Sequence, residues 1–171
     1  MDKYVQLAKN TIDLYIRSGE IYSPSDDELT DDMKEKRAGA FVSIHKGGDL
    51  RGCIGTIAPT TESIAKEIVS NAIAASTRDP RFPAIRPDEL KELEINVDVL
   101  GEAERISSPS ELDVKRYGVI VEKGYKRGLL LPDLDGVDSI ELQIAIAKQK
   151  AGIDIYDTDV RLSRFEVTRH V

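Results

Sequence analysis

Apolar positions recur at helical spacing at Val5, Ala8, Ile12 and Tyr15, and Gly19 offers a stop, so residues 3–18 are expected to form an amphipathic helix. The polar, acidic stretch from Ser23 to Asp32, with Pro24 in it, reads as a surface connection with a solvated face. Ala40 to His45 is rich in strand formers, Lys46-Gly47-Gly48-Asp49 is a turn signal, and Leu50 to Ile57 returns as the paired strand before Pro59. Thr60 or Thr61 is placed to cap a helix over 62–76, whose apolar stripe is Ile64, Ile68, Ala72 and Ala75. Two prolines stop that helix within Arg78-Asp79-Pro80-Arg81-Phe82-Pro83, because proline fixes φ and lacks an amide hydrogen.

Further along, Pro87 to Leu93 reads as a short helix, and Ile95, Val97 and Val99 alternate with Asn96 and Asp98 as a half-buried strand. Tyr117 to Glu122 and Leu129 to Leu131 read as strands around the loop 124–128. Asp138, with Glu141 three residues on, is a capping signal for a helix with Ile140, Ile144, Ala147 and Ala151 on one face, closed by Gly152. In the last strand, Val160 to Thr168, the apolar phase slips between Leu162 and Phe165, which predicts a bulge near Ser163-Arg164. Interspersed helices and strands with hairpin joins give an α+β fold, a mixed, largely antiparallel sheet with packed helices, in one domain over residues 1–171.

Composition narrows the function classes. Hydrophobic residues make up 40% of the chain, enough for a core, and 32% are charged, enough for a solvated surface. A net charge of −7 disfavours binding to a nucleic-acid backbone. Lys123, Lys126 and Arg127 beside Tyr125 are a faint basic cue against that balance, and RNA binding ranks last. One cysteine permits no intramolecular disulfide, and with two histidines it makes no structural zinc site. The residues Met1 to Val5 lack the apolar core of a signal peptide, and no apolar run reaches membrane-spanning length, so the expected setting is cytoplasmic, with no membrane association. Cofactor motifs are missing: there is no P-loop, GxGxxG or HExxH, and Asp133 to Asp138 does not fit a calcium loop, so neither a metal nor a cofactor is expected.

The chemistry concentrates in Arg51-Gly52-Cys53-Ile54-Gly55-Thr56. On a regular strand Arg51 and Cys53 share a face with Cα atoms roughly 7 Å apart. A guanidinium at that range favours the thiolate. Gly52 and Gly55 flank the thiol, marking a bulge, an open cleft or close packing, and Thr56 adds a hydroxyl. The same residues also suit a buried structural cysteine, with glycines that admit a tightly packed helix. Asp79 and Arg81 suit either a structural ion pair or a carboxylate that orients Cys53, while Arg78 reads as structural. Arg127 reads as surface. His45 and His170 are expected to be solvated.

The run Leu50-Arg51-Gly52-Cys53-Ile54-Gly55-Thr56 resembles the LRGCIGT signature of the AMMECR family, named after the AMME chromosomal region and called system protein A of the AmmeMemoRadiSam group in prokaryotes. Asn71 to Ala75 leading into Arg78 to Pro83, Ile95 to Leu100, Arg127 to Pro132 and Lys150 to Ile153 are similar to its later segments. The resemblance implies an α+β fold with a larger and a smaller subdomain. It also implies Memo-like and radical-SAM proteins as functional neighbours, with occasional fusion, and no established activity. Two functions compete. One is a small enzyme in which Cys53 is the reactive atom tuned by Arg51. The other is a non-catalytic binding module that recognises a small anionic ligand or a partner protein through Arg51, Gly52, Gly55, Thr56, Asp79 and Arg81.

Overall fold

A computed structural model describes residues 1–171. The chain forms two compact units, a larger one of residues 1–100 with 168–171 and a smaller one of residues 101–167. Every strand pairing with a defined register is antiparallel.

In the larger unit, helix α1 spans Lys3–Ser18. The Asp2 carboxylate accepts from the Tyr4 and Val5 amides at its start, and Gly19 ends it in the left-handed conformation, φ 75°. A short helix α2, Asp31–Glu35, interrupts the acidic connection and buries Met33. Strands β1 (Ala40–Lys46) and β2 (Asp49–Gly55) form a hairpin around Gly47 and Gly48, with φ 60° and 85°, the two positive values a tight two-residue turn needs. Helix α3, Ile64–Thr77, is capped by the Ser63 hydroxyl, not by Thr60 or Thr61 as expected. Both threonines instead donate to Glu67. A 3-10 turn over Pro87–Glu92 leads into β3, Leu93–Leu100.

The sheet order is β2-β1-β3-β8, with β8 at Val167–His170. Val42, Ile44 and Val97 on one face, fully buried, pack in one core with Ile12 of α1 and Ile68 and Ala72 of α3. The opposite face is not the simple solvated side that alternation suggests. Asp98 is only 1% exposed and takes a two-armed ion pair from Arg169, with Nε–Oδ1 at 2.8 Å. His170 likewise is not solvated. It stacks on Tyr4 with ring centroids 3.8 Å apart and hydrogen bonds the Asp2 carboxylate at 2.7 Å.

The smaller unit holds the sheet β4-β7-β5-β6, from Glu104–Ile106, Arg161–Phe165, Gly118–Lys123 and Lys126–Leu130. Helix α4, Ile140–Ala151, packs on it, with Ser139 as the cap in place of Asp138. The three residues of β4 were too short to leave a pattern in the sequence. No bulge occurs at Ser163-Arg164, because β7 pairs with β5 in unbroken register from Arg161 to Phe165. Apolar side chains are buried on both faces of this sheet, Val119 and Val121 on one and Ile120 and Phe165 on the other, so Leu162 and Phe165 point to opposite sides without slipping phase. The chain then leaves this sheet at Glu166 and joins the other as β8.

Candidate functional site

The bulge lies instead in β2. Ile44 pairs with Gly52 but His45 pairs with Leu50, which leaves Arg51 as the extra residue. A bulge re-aims the side chain it carries. Arg51 is turned into the 83–89 segment, where Nε and Nη2 meet the two Glu89 oxygens at 3.0 and 3.1 Å and Nη1 donates to the Pro83 carbonyl at 2.8 Å. Nη2 also reaches the Ala84 carbonyl at 3.3 Å. The expected pairing of Arg51 with the thiol is therefore not what the guanidinium is used for. It fastens the hairpin to the loop that follows α3.

The glycines are not a gap. A Cβ built on Gly52 would lie 2.2 Å from the Ala75 carbonyl oxygen of α3, and one on Gly55 would lie 2.2 Å from the Phe41 ring. Gly52 thus allows the last turns of α3 to rest on the strand, and the space at Gly55 is filled by the aromatic ring. Thr56 turns inward as well. Its hydroxyl donates to Glu67 at 2.6 Å and accepts from Asn71 at 3.2 Å.

Since Gly52 faces α3, Cys53 faces the other side of the sheet, opposite Ser43, and is half-buried. The Ser43 hydroxyl lies 3.3 Å from the sulfur. The backbone of Cys53 points outward along the β2 edge and is met by the 78–83 loop. Asp79 accepts from the Cys53 amide at 3.0 Å, and Arg81 Nη2 lies 3.4 Å from the Cys53 carbonyl. Asp79 is 4% exposed and is bound by Arg81 at 2.8 and 3.0 Å. An unpaired strand edge is a template for unwanted pairing, and this ion pair covers it at one residue. Asp79 therefore orients the strand through the backbone. Arg81, whose side chain is 57% exposed, is the cation that meets the Cys53 carbonyl, and the neighbouring thiol is one of the influences that raise the guanidinium's pKa, after the Asp79 carboxylate.

Three buried carboxylates anchor this region. Arg51 above all, against the opposing effect of burial, and then the Arg86 amide and Lys46 lower the pKa of Glu89 from 4.5 to about 2. Arg81 holds the Asp79 carboxyl well below the usual range. Burial pushes Glu67 up, but hydrogen bonds from Thr56, Thr61 and Thr60 outweigh it and bring it down. A carboxyl with a folded pKa below its unfolded value stabilises the fold above the unfolded pKa and loses that contribution as pH falls through the folded one. Stability is therefore expected to be flat above about pH 5 and to fall between about pH 4.5 and 2, with Glu89 alone contributing roughly 3 kcal/mol. Urea unfolding at several pH values checks this. Glu89→Gln should flatten the acid limb.

Sequence reading missed Ser43, Glu67, Asn71 and Glu89. Glu67 and Asn71 lie four residues apart within the buried side of α3, and a polar side chain at a core position is the signal that marks them. A cleft of about 820 Å³ in the larger unit is lined by Arg78 but not by Arg51, Cys53 or Arg81. Arg78 closes α3 through its amide while its side chain is exposed. Arg127 is exposed, as expected. No group of His, Cys, Asp and Glu is arranged to hold a metal ion, and no helix is long and apolar enough to cross a membrane.

The AMMECR1 family model matches residues 5–170. The chain belongs to the AMMECR1 family. A relative from Thermotoga maritima is 52% identical over 98% of the chain and 96% of its own length. One from Clostridium acetobutylicum is 48% identical over 99% of the chain, yet the match spans only 36% of that protein. The crystal structure of an uncharacterised protein from Pyrococcus horikoshii is similar at a TM-score of 0.89 and 30% identity, covering 97% of this chain and 88% of that one. The AMMECR1 fold thus appears both as nearly a whole protein and as part of a longer one.

Proposed function

We propose that this AMMECR1 domain is a non-catalytic binding module that presents Arg81, beside the Cys53–Ser43 step of the hairpin, to an anionic group of a small ligand or a partner protein. The observation that carries this reading is the division of labour within the motif. Arg51, Gly52, Gly55 and Thr56 are engaged in holding β2, α3 and the 83–89 loop together, whereas the Arg81 side chain, fixed on one side by Asp79, is 57% exposed. The Clostridium relative supports a modular role, because the matching region is a minor part of that longer chain. Memo-like and radical-SAM proteins, in a cytoplasmic setting, are the partners we propose for the module.

One observation favours the enzyme reading: the Ser43 hydroxyl lies 3.3 Å from the Cys53 sulfur, with the Arg81 guanidinium at the same residue's carbonyl. Alkylation by iodoacetamide between about pH 6 and 9 separates the two, since the thiolate is the reacting form. The binding reading expects a rate that is slow at neutral pH and goes on climbing through the alkaline range. A fast rate already at neutral pH that no longer rises would establish a tuned nucleophile and contradict the binding reading.

A further inference from the structure

The two-residue turn Gly124-Tyr125, with Gly124 at φ 60°, closes the β5–β6 hairpin and makes Lys123 and Lys126 a hydrogen-bonded pair. Ladder bonds alternate along an antiparallel pair, which places those of β6 at Lys126, Gly128 and Leu130. The amides and carbonyls of Arg127 and Leu129 therefore point away from β5, along the outer edge of the sheet. They meet no partner elsewhere in the chain. Backbone groups buried without a partner are rare, so these four face solvent. β6 has neither bulge nor proline to guard the edge, and the Lys126 ammonium is drawn to the Gly152 carbonyl at 3.0 Å.

The two faces beside this edge differ in chemistry. Gly128 faces α4, whose Ala147 carbonyl oxygen would lie 2.3 Å from a Cβ there. Ile144 and Lys148 of α4 line a cleft beside β4 and β7. Ile146 is two residues from each, about 200° round the helix, and so lies on the flank beyond β6. It is half-buried, and Leu142, one turn before it, is 41% exposed. On the other face Arg127 is exposed, stands across from Glu122 and forms no ion pair.

We propose that the β6 edge takes up an extended segment of a partner protein as a fifth strand of the smaller unit's sheet. The backbone of that segment pairs with Arg127 and Leu129. One acidic side chain meets the Arg127 guanidinium, and the apolar residue next to it, on the opposite face, packs beside Ile146 and Leu142. A second copy of this chain does not fit as the occupant. Antiparallel pairing of two β6 strands would set them about 4.8 Å apart with both copies of α4 on one face, directly over Gly128, where packed helices need about 8–10 Å. This surface goes beyond the module reading and uses none of its residues.

The blocked pentapeptide Thr-Val-Ile-Glu-Thr tests it, by amide hydrogen exchange and calorimetry on the intact chain. In the free protein the Arg127 and Leu129 amides should exchange much faster than the Gly128 amide, which is bonded to β5. The peptide should bind saturably and slow both of them. N-methylation of its Val and Glu nitrogens deletes the two ladder donors and should weaken binding at least about tenfold. Arg127→Glu should reverse the preference between this peptide and one with Lys in place of Glu, while Arg81→Ala leaves the affinity unchanged. The proposal is overturned by Arg127 and Leu129 amides already protected in the free chain, by no saturable binding up to about 10 mM, by equal binding of the methylated peptide, or by an unchanged preference in Arg127→Glu. Concentration-dependent dimerisation that protects the same two amides would also overturn it, by giving the edge to a second copy.

Discussion

Gly52→Ala should cost about 3 kcal/mol or more and lower the urea midpoint by about 1 M or more. The added methyl would sit 2.2 Å from the Ala75 carbonyl oxygen, and that atom belongs to helix backbone, so no side-chain rotation relieves the clash. Either α3 shifts along its last turns or β2 is displaced from β1. Both movements disturb the core in which Ile44 and Ala75 pack. Gly101→Ala is the control, because its nearest neighbour outside the adjacent residues is the Glu166 carbonyl at 3.3 Å, and only a small loss is expected there. Near-wild-type stability of Gly52→Ala would mean that the glycine is not a contact point for the helix. A functional defect after substituting Gly52 or Gly55 therefore reports on packing before it reports on ligand access.

Arg51→Ala carries the second large effect, about 3–5 kcal/mol, the range for removing one partner of a buried pair. Glu89, 5% exposed, would keep the Arg86 amide and Lys46 but lose both guanidinium bonds, and the Pro83 and Ala84 carbonyls would lose their donor. The double variant Arg51→Met/Glu89→Gln should recover part of the loss, since a neutral pair carries a smaller burial penalty. Cys53→Ser, with the backbone bonds to Asp79 and Arg81 retained, should change stability by no more than about 1 kcal/mol. A result in which Arg51→Ala is as mild as Cys53→Ser would contradict the structural role of the arginine.

The order of elements was legible because most of them carry a periodic signal of their own. Helix α1 and the Gly47-Gly48 hairpin follow directly from spacing and turn chemistry. Caps were legible only to within a few residues: Thr60, Thr61 and Asp138 are good capping residues, but Glu67 claims the threonines and Ser139 takes the place of Asp138. The division of the strands into two sheets was hidden, because the change of sheet at Glu166 looks in sequence like a slip of phase within one strand.

At the site, the motif marked the right place and suggested the wrong neighbours. Strand periodicity put Arg51 on the face of Cys53, and the bulge, set by tertiary pairing, removed it. The partners Glu89 and Asp79 are 38 and 26 residues away from Arg51 and Cys53, and only the fold brings them together.

The central claim is that Arg51 is held away from the Cys53 thiol by the 83–89 loop, while Arg81 stands beside Cys53 at its carbonyl. The most direct measurement is the pH midpoint of Cys53 alkylation in wild type, in Arg51→Met/Glu89→Gln and in Arg81→Ala, each confirmed as folded. The midpoint should stay at the wild-type value in the first variant and rise in the second, where a positive charge near the sulfur is lost and Asp79 is left uncompensated. A midpoint that rises on loss of Arg51 and is unmoved by loss of Arg81 would contradict it.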